Sequence, residues 1–337
     1  MRPFIVRAFF GILVTAFSSM AWDGPWAADA GVDDGAAPSG RFEFGSYGRA
    51  GIGSDLQGQL GRSSNIVSHG PRLIEDSYAE LELRREDVFG EVASRIVATL
   101  AFFPPFFHFS GNAAQHIALR NLYAEATIDS NFSAWVGSRM YRGDDIYLLN
   151  FWPLDDLNTI GGGLGWRPIS SVKIQAHVGM QRLDSSGQYQ VVPNVNPLGY
   201  GSILVARLNR PRIIESLKAQ YEQSDAAAGY RFSLYGEAHQ LSSGVERNET
   251  TGDERALPSD TGFMVGGQAT GWKSSGRFVH LWVRHATGIA VYDELGFPSS
   301  FANDLTTQGA HATRIAFAGG WDGAKLGVTL GSYLDWV

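Results

Sequence analysis

Apolar and polar residues alternate with a period of two in stretches of about ten residues from Phe42 onward. The longest stretch is 171–181, eleven residues in which Val172, Ile174, Ala176, Val178 and Met180 are separated by polar or small residues. Strict alternation predicts β-strands with one apolar face. Its length matches a tilted strand that crosses a lipid bilayer.

The connections between the alternating stretches differ in length. Segment 184–187 is short, whereas 244–260 and 287–307 are long and polar. Short turns at one end and long loops at the other are typical of outer-membrane barrels. A soluble sandwich or propeller also alternates, with one wet face. We predict an all-β fold, a transmembrane antiparallel β-barrel of about 16–18 strands.

The amino terminus predicts export. Arg2 and Arg7 precede an apolar run at 8–17, and Ser19-Met20-Ala21 follows as a small-x-small site. This arrangement predicts a secretory signal peptide over residues 1–21, with cleavage after Ala21 or, as a second candidate, Ala30; the alternative is a buried amino-terminal helix. Residues 22–40 read as a flexible spacer and 41–337 as the barrel domain. The expected location is the outer membrane of a Gram-negative cell.

Composition narrows the function. The chain has 337 residues, 18% of them charged, with a net charge of −7. Because there is no basic field, we expect no nucleic-acid partner; the lipid bilayer and small solutes are the expected partners. The absence of cysteine excludes disulfides and thiolate chemistry. No hydrolase, P-loop or zinc-protease motif occurs, so we predict neither an enzyme nor a cofactor.

Segment 131–165 holds the most chemically varied residues of the chain. It begins as a strand and then becomes a loop that contains Asp144, Asp145, Asp155 and Asp156 among aromatic rings. These acid pairs could bind Ca²⁺ or act as glycosidase carboxylates. Adjacent carboxylates on an extended segment point to opposite sides, which is poor geometry for either role. We therefore predict no metal site and no catalytic site.

Three segments carry a resemblance to maltoporin-type sugar porins. RMYRGDDIYLLNFW at 139–152 resembles the family's transition from a strand into the third loop, which narrows the pore. FGSYGRAGIG at 44–53 and EDSYAELEL at 75–83 resemble its first two strands. The resemblance implies that this barrel has an inward-folded constriction loop and that sugars such as maltodextrins diffuse passively through it. It also implies a homotrimer. The aromatic run 102–109 either contacts a neighbouring subunit, as the family's second loop does, or anchors at the membrane interface.

The resemblance also implies a sugar site. An aromatic track along which sugar rings slide matches Tyr47, Tyr78 and Trp152. Polar contacts and the constriction match Arg49, Arg72, Glu80, Arg120, Arg142, Asp145 and Asn150. Asn150 stands where the family has an acid, Gly143 where it has an arginine, and the cysteine pair of its first loop is absent.

Each assignment has an alternative. The tyrosines could fill space or belong to an interfacial girdle, Trp152 could pack the loop, and the charged residues could form ion pairs that stiffen the wall. The alternative functions are a general or anion-selective porin without a sugar site, and a structural or adhesive outer-membrane barrel.

Overall fold

The computed structural model describes residues 7–15, 40–49, 77–103, 116–149, 151–181, 189–193, 202–208, 211–291, 306–323 and 326–336. In chain order, the described strands are β1 (Arg7–Thr15), β2 (Gly40–Arg49), β3 (Tyr78–Phe89), β4 (Val92–Phe103), β5 (His116–Ile128), β6 (Phe132–Arg142), β7 (Asp156–Ile169), β8 (Val172–Gln181), β9 (Tyr189–Pro193), β10 (Ser202–Leu208), β11 (Arg212–Ser224), β12 (Ala228–Leu241), β13 (Gly244–Asn248), β14 (Glu254–Leu257), β15 (Asp260–Lys273), β16 (Arg277–Gly288), β17 (His311–Asp322) and β18 (Gly327–Trp336). Two one-turn 3₁₀ helices, Tyr147–Leu149 and Ile289–Val291, complete the assignment.

Fourteen of these strands form one antiparallel sheet in the order β1-β18-β17-β16-β15-β12-β11-β8-β7-β6-β5-β4-β3-β2. From β2 to β18, strands that neighbour each other in this sheet are also consecutive in the chain, except that β9 and β10 intervene between β8 and β11, and β13 and β14 between β12 and β15. The predicted all-β, antiparallel barrel is confirmed, and this sheet is its wall. No helix among the described residues is long and apolar enough to cross a membrane.

The faces of the wall are reversed relative to a soluble protein. On β12, Phe232 and Leu234 point outward, and Leu234 is 71% exposed, whereas Ser233, Tyr235 and Glu237 point inward and are buried. Other outward residues on β8 and β16 are Val178, Met180, Leu281 and Val283. An apolar exterior around a polar interior suits lipid outside and water inside. The predicted alternation of β8, β12 and β16 is therefore confirmed.

The ends of the barrel are unequal, as the sequence predicts. Tight connections at 90–91, 129–131, 170–171, 225–227, 274–276 and 323–326 lie at one end of the wall. The longer connections all lie at the other end, because the strands are antiparallel and consecutive. In outer-membrane barrels the short turns face the periplasm and the long loops face outward.

A second, four-stranded sheet, in the order β14-β13-β10-β9, stands at the long-loop end. It joins two excursions from the wall, since β10 pairs with β13 from Val205↔Asn248 to Leu208↔Val245. One sequence expectation is wrong here. Segment 244–260 is not a plain loop, because it contains β13 and β14. The short connection predicted at 184–187 lies outside the described residues.

The amino-terminal strand β1 lies at one edge of the wall. It pairs with β18 over nine residues, from Arg7↔Asp335 to Thr15↔Gly327, and β2 lies at the opposite edge. Cleavage of residues 1–21 stays a prediction, and most of the predicted spacer, 22–39, lies outside the described residues.

Candidate functional site

The loop between β6 and β7, residues 143–155, folds into the barrel, as predicted. Gly143 N donates to Asp155 O at 3.0 Å, which closes the base of the loop, and Ile146 N donates to Phe151 O at 2.8 Å, which closes its tip. A Cβ atom on Gly143 would lie 2.7 Å from Leu154 O. Such an approach is too close for any side chain, which gives a physical reason for glycine, rather than an arginine, at this position.

Apolar residues of the loop are buried against strands far from β6 and β7. Ile146, Leu149, Phe151 and Leu154 belong to one cluster with wall residues that include Trp282 of β16. The remaining described members are Tyr235, Met264, Ala286, Ala290, Ala316, Ala318 and Tyr333. These wall residues come from β12 and from β15 to β18 or directly after β16. The main buried core therefore lies inside the barrel, between the loop and one side of the wall.

The ring of Phe151 marks the centre of this contact. Its centroid lies 5.8 Å from that of Tyr333 on β18, and Arg314 Cζ lies 4.8 Å from the Phe151 ring. Arg284 Nη1 on β16 donates to Pro153 O at 3.1 Å. Cations over aromatic faces are stabilising, more so when water is excluded. The loop is thus held by three adjacent strands, and the pore is narrowed on the side where β16, β17 and β18 lie.

Carboxylates of the loop attach it to further strands. Asp144 accepts hydrogen bonds from Arg231 on β12 and Gln268 on β15, and Asp155 Oδ2 lies 2.6 Å from Lys218 Nζ on β11. Burial alone would raise the pKa of the Asp144 carboxyl, but the positive charge of Arg231 and the hydrogen bonds hold that pKa below its ordinary value. Asp144 is therefore ionised at neutral pH and works as an electrostatic anchor.

Two of the predicted track residues are in contact on β2 and β3, at the other edge of the sheet from β1. The Tyr47 and Tyr78 rings lie 6.3 Å apart on β2 and β3, and the ring of Phe103, at the end of β4, lies 5.5 Å from Tyr78. Tyr47 is 49% exposed, so its face is available to a solute. The sequence analysis did not place Phe103 in the track. The alternation along β4 could have identified it, because Phe103 continues the inward series Val97, Thr99 and Ala101.

Charged groups border these rings. Arg120 forms an ion pair with Glu80, and Arg120 Nη1 donates to the Tyr78 hydroxyl at 2.8 Å. The Tyr78 hydroxyl also bonds to Glu80. Between β4 and β5 the register shifts at Thr99/Leu100: Thr99 lies opposite Asn121 and Leu100 opposite Leu119, so Arg120 is the extra residue of a bulge. A bulge of this kind redirects a side chain, which explains how Arg120 joins Tyr78 and Glu80.

The third predicted ring, Trp152, belongs to a different group. Arg142 Cζ lies 4.6 Å from the Trp152 ring, and Arg142 also pairs with Asp156. Within the described residues, the ring contacts of Tyr47 and Tyr78 do not include Trp152. Trp152 and Arg142 therefore lie together at the base of the constriction loop, as a second group along the predicted path.

The remaining predicted residues are placed less completely. Arg49 ends β2, but its side chain lies outside the described residues, as do the whole of Arg72 and Asn150. Asp145 faces a small pocket between the loop and β16. In the part of the chain that the structure describes, no group of three metal-ligating side chains is close enough to hold an ion.

A group that the sequence prediction missed surrounds Arg139. The Arg139 guanidinium lies within 5.4 Å of the ring centres of Tyr123, Trp135 and Tyr141, and Trp135 stacks on His177 at 5.5 Å. Parity could have found this group, because all five residues fall on the inward faces of β5, β6 and β8. Trp135 and Arg139 are each 6% exposed. The group packs the wall and leaves little surface for a solute.

A membrane barrel with an inward constriction loop and a polar, ring-lined interior defines a porin, a channel of the outer membrane through which small solutes diffuse. Comparison with protein families agrees and is more specific. The LamB porin family model matches residues 42–331, and the chain belongs to that family. Porins are channels rather than enzymes, and this family assignment agrees with the absence of catalytic motifs.

Solved porins are similar to the chain at low identity. OccD3 of Pseudomonas aeruginosa is 8% identical, with 77% of this chain and 86% of that chain covered and a TM-score of 0.27. OmpF of Salmonella typhi, in complex with daunomycin, is 9% identical, with 89% and 97% covered and a TM-score of 0.29. OmpT of Vibrio cholerae, in a trimer form, is 9% identical, with 89% and 99% covered and a TM-score of 0.28. No curated protein matches the sequence. The family assignment rests on the family model alone.

Proposed function

We propose that this porin passes sugars by facilitated diffusion, with Tyr47, Tyr78 and Phe103 as the track. The observation that carries the proposal is the contact of these three rings beside the Arg120–Glu80 pair. A pyranose ring has an apolar face of C–H groups and a rim of hydroxyls. Aromatic rings suit the apolar face, and a guanidinium next to a carboxylate offers both donors and acceptors to the rim.

Passage requires contacts that favour entry without trapping the solute. A half-exposed ring such as Tyr47 supplies modest apolar contact, and Trp152 with Arg142 offers the next such contact at the constriction loop. Several weak sites in sequence lower the barrier for a chain of sugar units more than for a single unit. We therefore propose oligosaccharides of the maltodextrin type as the preferred solutes, and a homotrimer as the assembly.

Sugar block of the ion current tests this function. The mature protein is inserted in a planar bilayer, and glucose, maltose and maltotriose are added while the conductance is recorded. Saturable block that strengthens with the number of sugar units is expected. Glycerol, which changes viscosity without a ring, serves as the control. A conductance that falls equally with every additive, and never saturates, contradicts the proposal.

A general or anion-selective porin is the second candidate. It is favoured by the rings of Tyr123, Trp135 and Tyr141 around Arg139. Trp135 and Arg139 are each 6% exposed, so inward-facing rings of this wall can pack the barrel without contacting a solute. A reversal potential shifted strongly toward chloride, together with an absence of sugar block, favours this candidate over a sugar porin.

A further inference from the structure

Two basic residues lie opposite each other on the outer surface of the wall, at its short-turn end. Lys273 is the last residue of β15 and Arg277 is the first residue of β16, and the two are Cα partners in the ladder. Both belong to the outward series of their strands, which includes Val265 on β15 and Leu281 on β16. Both are exposed. They therefore lie on the side of the barrel that faces the membrane.

Like charges directly opposite each other on neighbouring strands repel. Elsewhere on the outer surface, at the same end of the wall, Arg85 of β3 has a carboxylate partner, since its Nη2 lies 2.7 Å from Asp87 Oδ1. Within the described part of the chain, neither Lys273 nor Arg277 forms an ion pair or a side-chain hydrogen bond. An anion between these two side chains would relieve their repulsion.

Aromatic rings flank the two cations on the same surface. Trp321 of β17 is the Cα partner of Arg277 and is 45% exposed. On the other side, Tyr230 of β12 points outward and is a diagonal neighbour of Lys273, because Lys273 pairs with Ala228. Trp and Tyr are enriched where a membrane meets water. The rings therefore indicate that the two cations lie at the level of the lipid headgroups.

The turn that joins the two cations is fixed to its neighbours on both sides. Gly276 has a positive φ of 74°, and its N–H donates to Lys273 O at 3.1 Å within the turn. Ser274 N donates to Ala227 O at 2.8 Å in the β11–β12 turn. On the other side, Asp322 N of β17 donates to Gly276 O at 2.8 Å. The backbone is therefore held before an anion arrives, which lowers the entropy cost of binding.

Charge and position select the ligand. The oxygen atoms of a phosphodiester accept hydrogen bonds from an ammonium and from a guanidinium group. Cβ atoms of directly opposite residues lie about 5 Å apart, so both side chains can reach one phosphate. Short turns of outer-membrane barrels face the periplasm, so the lipid at this level is a phospholipid of the periplasmic leaflet. An anionic headgroup suits the site better than a zwitterionic one, which would bring a third positive charge close to the two cations.

We propose that Lys273 and Arg277, flanked by Trp321 and Tyr230, bind the phosphate of one anionic phospholipid in the periplasmic leaflet. The acyl chains of this lipid lie along the apolar outward face of β15 and β16. The bound lipid neutralises two like charges and attaches the β15–β16 turn to the membrane surface. The site lies outside the barrel and does not depend on which solute the channel passes.

Native mass spectrometry of the protein in a non-ionic detergent without sugar groups tests the site. Phosphatidylglycerol and phosphatidylcholine with identical acyl chains are titrated separately, and the lipid retained per chain is counted. The wild type should retain the first phosphatidylglycerol more tightly than phosphatidylcholine. Lys273→Gln and Arg277→Gln should each weaken this retention about fivefold, the effect expected for one basic residue next to an anionic lipid. Lys273→Arg, which keeps the charge, should retain the preference.

Arg85→Gln is the matched control, since it removes one outward positive charge at the same end of the wall, where Arg85 already has Asp87 as its partner. It should leave the preference for phosphatidylglycerol unchanged. Gel mobility before and after heating verifies that each variant is folded. Equal retention of both lipids by the wild type, or equal losses in Arg277→Gln and Arg85→Gln, overturns the proposal. Displacement of the lipid by an equal concentration of inorganic phosphate also overturns it, because the site would then recognise free phosphate.

Fluorescence quenching locates the bound lipid. Phosphatidylglycerol with brominated acyl chains, mixed into phosphatidylcholine vesicles that hold the protein, should quench tryptophan fluorescence more strongly than brominated phosphatidylcholine does. The excess quenching should be absent in Trp321→Phe, which keeps an aromatic ring beside Arg277 and removes the indole. Excess quenching that persists in Trp321→Phe would place the lipid beside another tryptophan and contradict the proposed site.

Discussion

Lys218 Nζ on β11 lies 2.6 Å from Asp155 Oδ2, where the constriction loop returns to the wall. The side chains are 16% and 10% exposed, so the pair is largely withdrawn from water. Asp155 also has a positive φ of 60°, a conformation that Asp and Asn tolerate better than most residues. The pair therefore fixes a strained turn of the loop to a strand outside the β6–β7 hairpin.

Removing one partner of this pair should be worse than removing both. Lys218→Met leaves a buried carboxylate without its partner, which typically costs about 3–5 kcal/mol. The double variant Lys218→Met with Asp155→Asn removes both charges and keeps a residue that accepts positive φ, so most of the stability should return. Guanidinium unfolding in detergent, followed by tryptophan fluorescence, measures this. Equal losses in the single and double variants would show that the ion pair is not the anchor.

The Asp144 anchor predicts a pH window. Its pKa is held below the ordinary value, so the stabilising contribution is fully present above the ordinary carboxyl pKa of about 4 and is lost as the pH falls through the lower folded value. Single-channel conductance and current noise should therefore be constant from neutral pH down to about pH 5. Asp144→Asn should raise the noise at neutral pH, since Arg231 loses its closer carboxylate and keeps the more distant Glu222, 3.7 Å away. Noise that rises at mildly acidic pH in the wild type would contradict the assignment.

The direction of side chains on β8 predicts unequal tolerance of charge. Val178 is outward and 51% exposed, so Val178→Arg should cost about 2–4 kcal/mol if it lies near the bilayer midplane. Gln175→Arg, on the inward face of the same strand, should cost little. Unfolding in lipid vesicles measures both. Similar losses at the two positions would mean that the face toward lipid has been misassigned.

Alternation was sufficient to predict the wall because side chains of a strand alternate between lipid and water. Phe232 and Val178 point outward, whereas their neighbours Ser233 and His177 point inward. The two-residue period of the sequence is enough to predict these directions. The second sheet could not be predicted in this way. Its central pairing joins Val205 to Asn248, forty-three positions apart, and the polar segment around β13 has no local alternation that distinguishes a strand from a loop.

The candidate site could be predicted where its residues lie in segments that resemble the family, and could not be predicted where it depends on contacts between distant parts of the chain. Tyr47, Tyr78 and Glu80 lie in the segments that resemble the first two strands, and the structure brings them together. Which wall residues hold the loop, such as Arg231 for Asp144, depends on pairings across about ninety positions. No local pattern carries that information.

The pairing of β1 with β18 gives the predicted leader a physical consequence. Residues 7–15 pair with the edge of β18 that does not pair with β17. Removal of residues 1–21 would leave that edge of β18 open to β2, the strand at the other end of the wall. Mass spectrometry of the protein purified from outer membranes should find a mature amino terminus after Ala21 or Ala30. A protein blocked at its cleavage site should retain β1 and assemble poorly. Retention of the full leader in the functional channel would contradict the prediction.

The aromatic track and the charged residues that border it should affect different properties of the channel, sugar block and ion selectivity. Tyr78→Ala removes a ring that contacts Tyr47 and Phe103, so sugar block should weaken about fivefold, the effect of roughly 1 kcal/mol of aromatic contact, while the small-ion current persists. Tyr78→Phe keeps the ring and loses only the hydroxyl bonded to Glu80 and Arg120, and should weaken the block less.

The charged partner is tested by Glu80→Gln, which removes the carboxylate paired with Arg120 and should shift ion selectivity toward anions. Trp152→Ala provides a comparison at the constriction loop, where loss of the ring facing Arg142 should weaken sugar block without a comparable shift in selectivity. All four variants are compared by maltotriose titration and reversal potential in the same bilayers. If Tyr78→Ala and Trp152→Ala leave sugar block unchanged while Glu80→Gln alters only selectivity, the rings serve packing alone. The channel then keeps its family and its fold but sorts solutes by charge rather than by sugar contact.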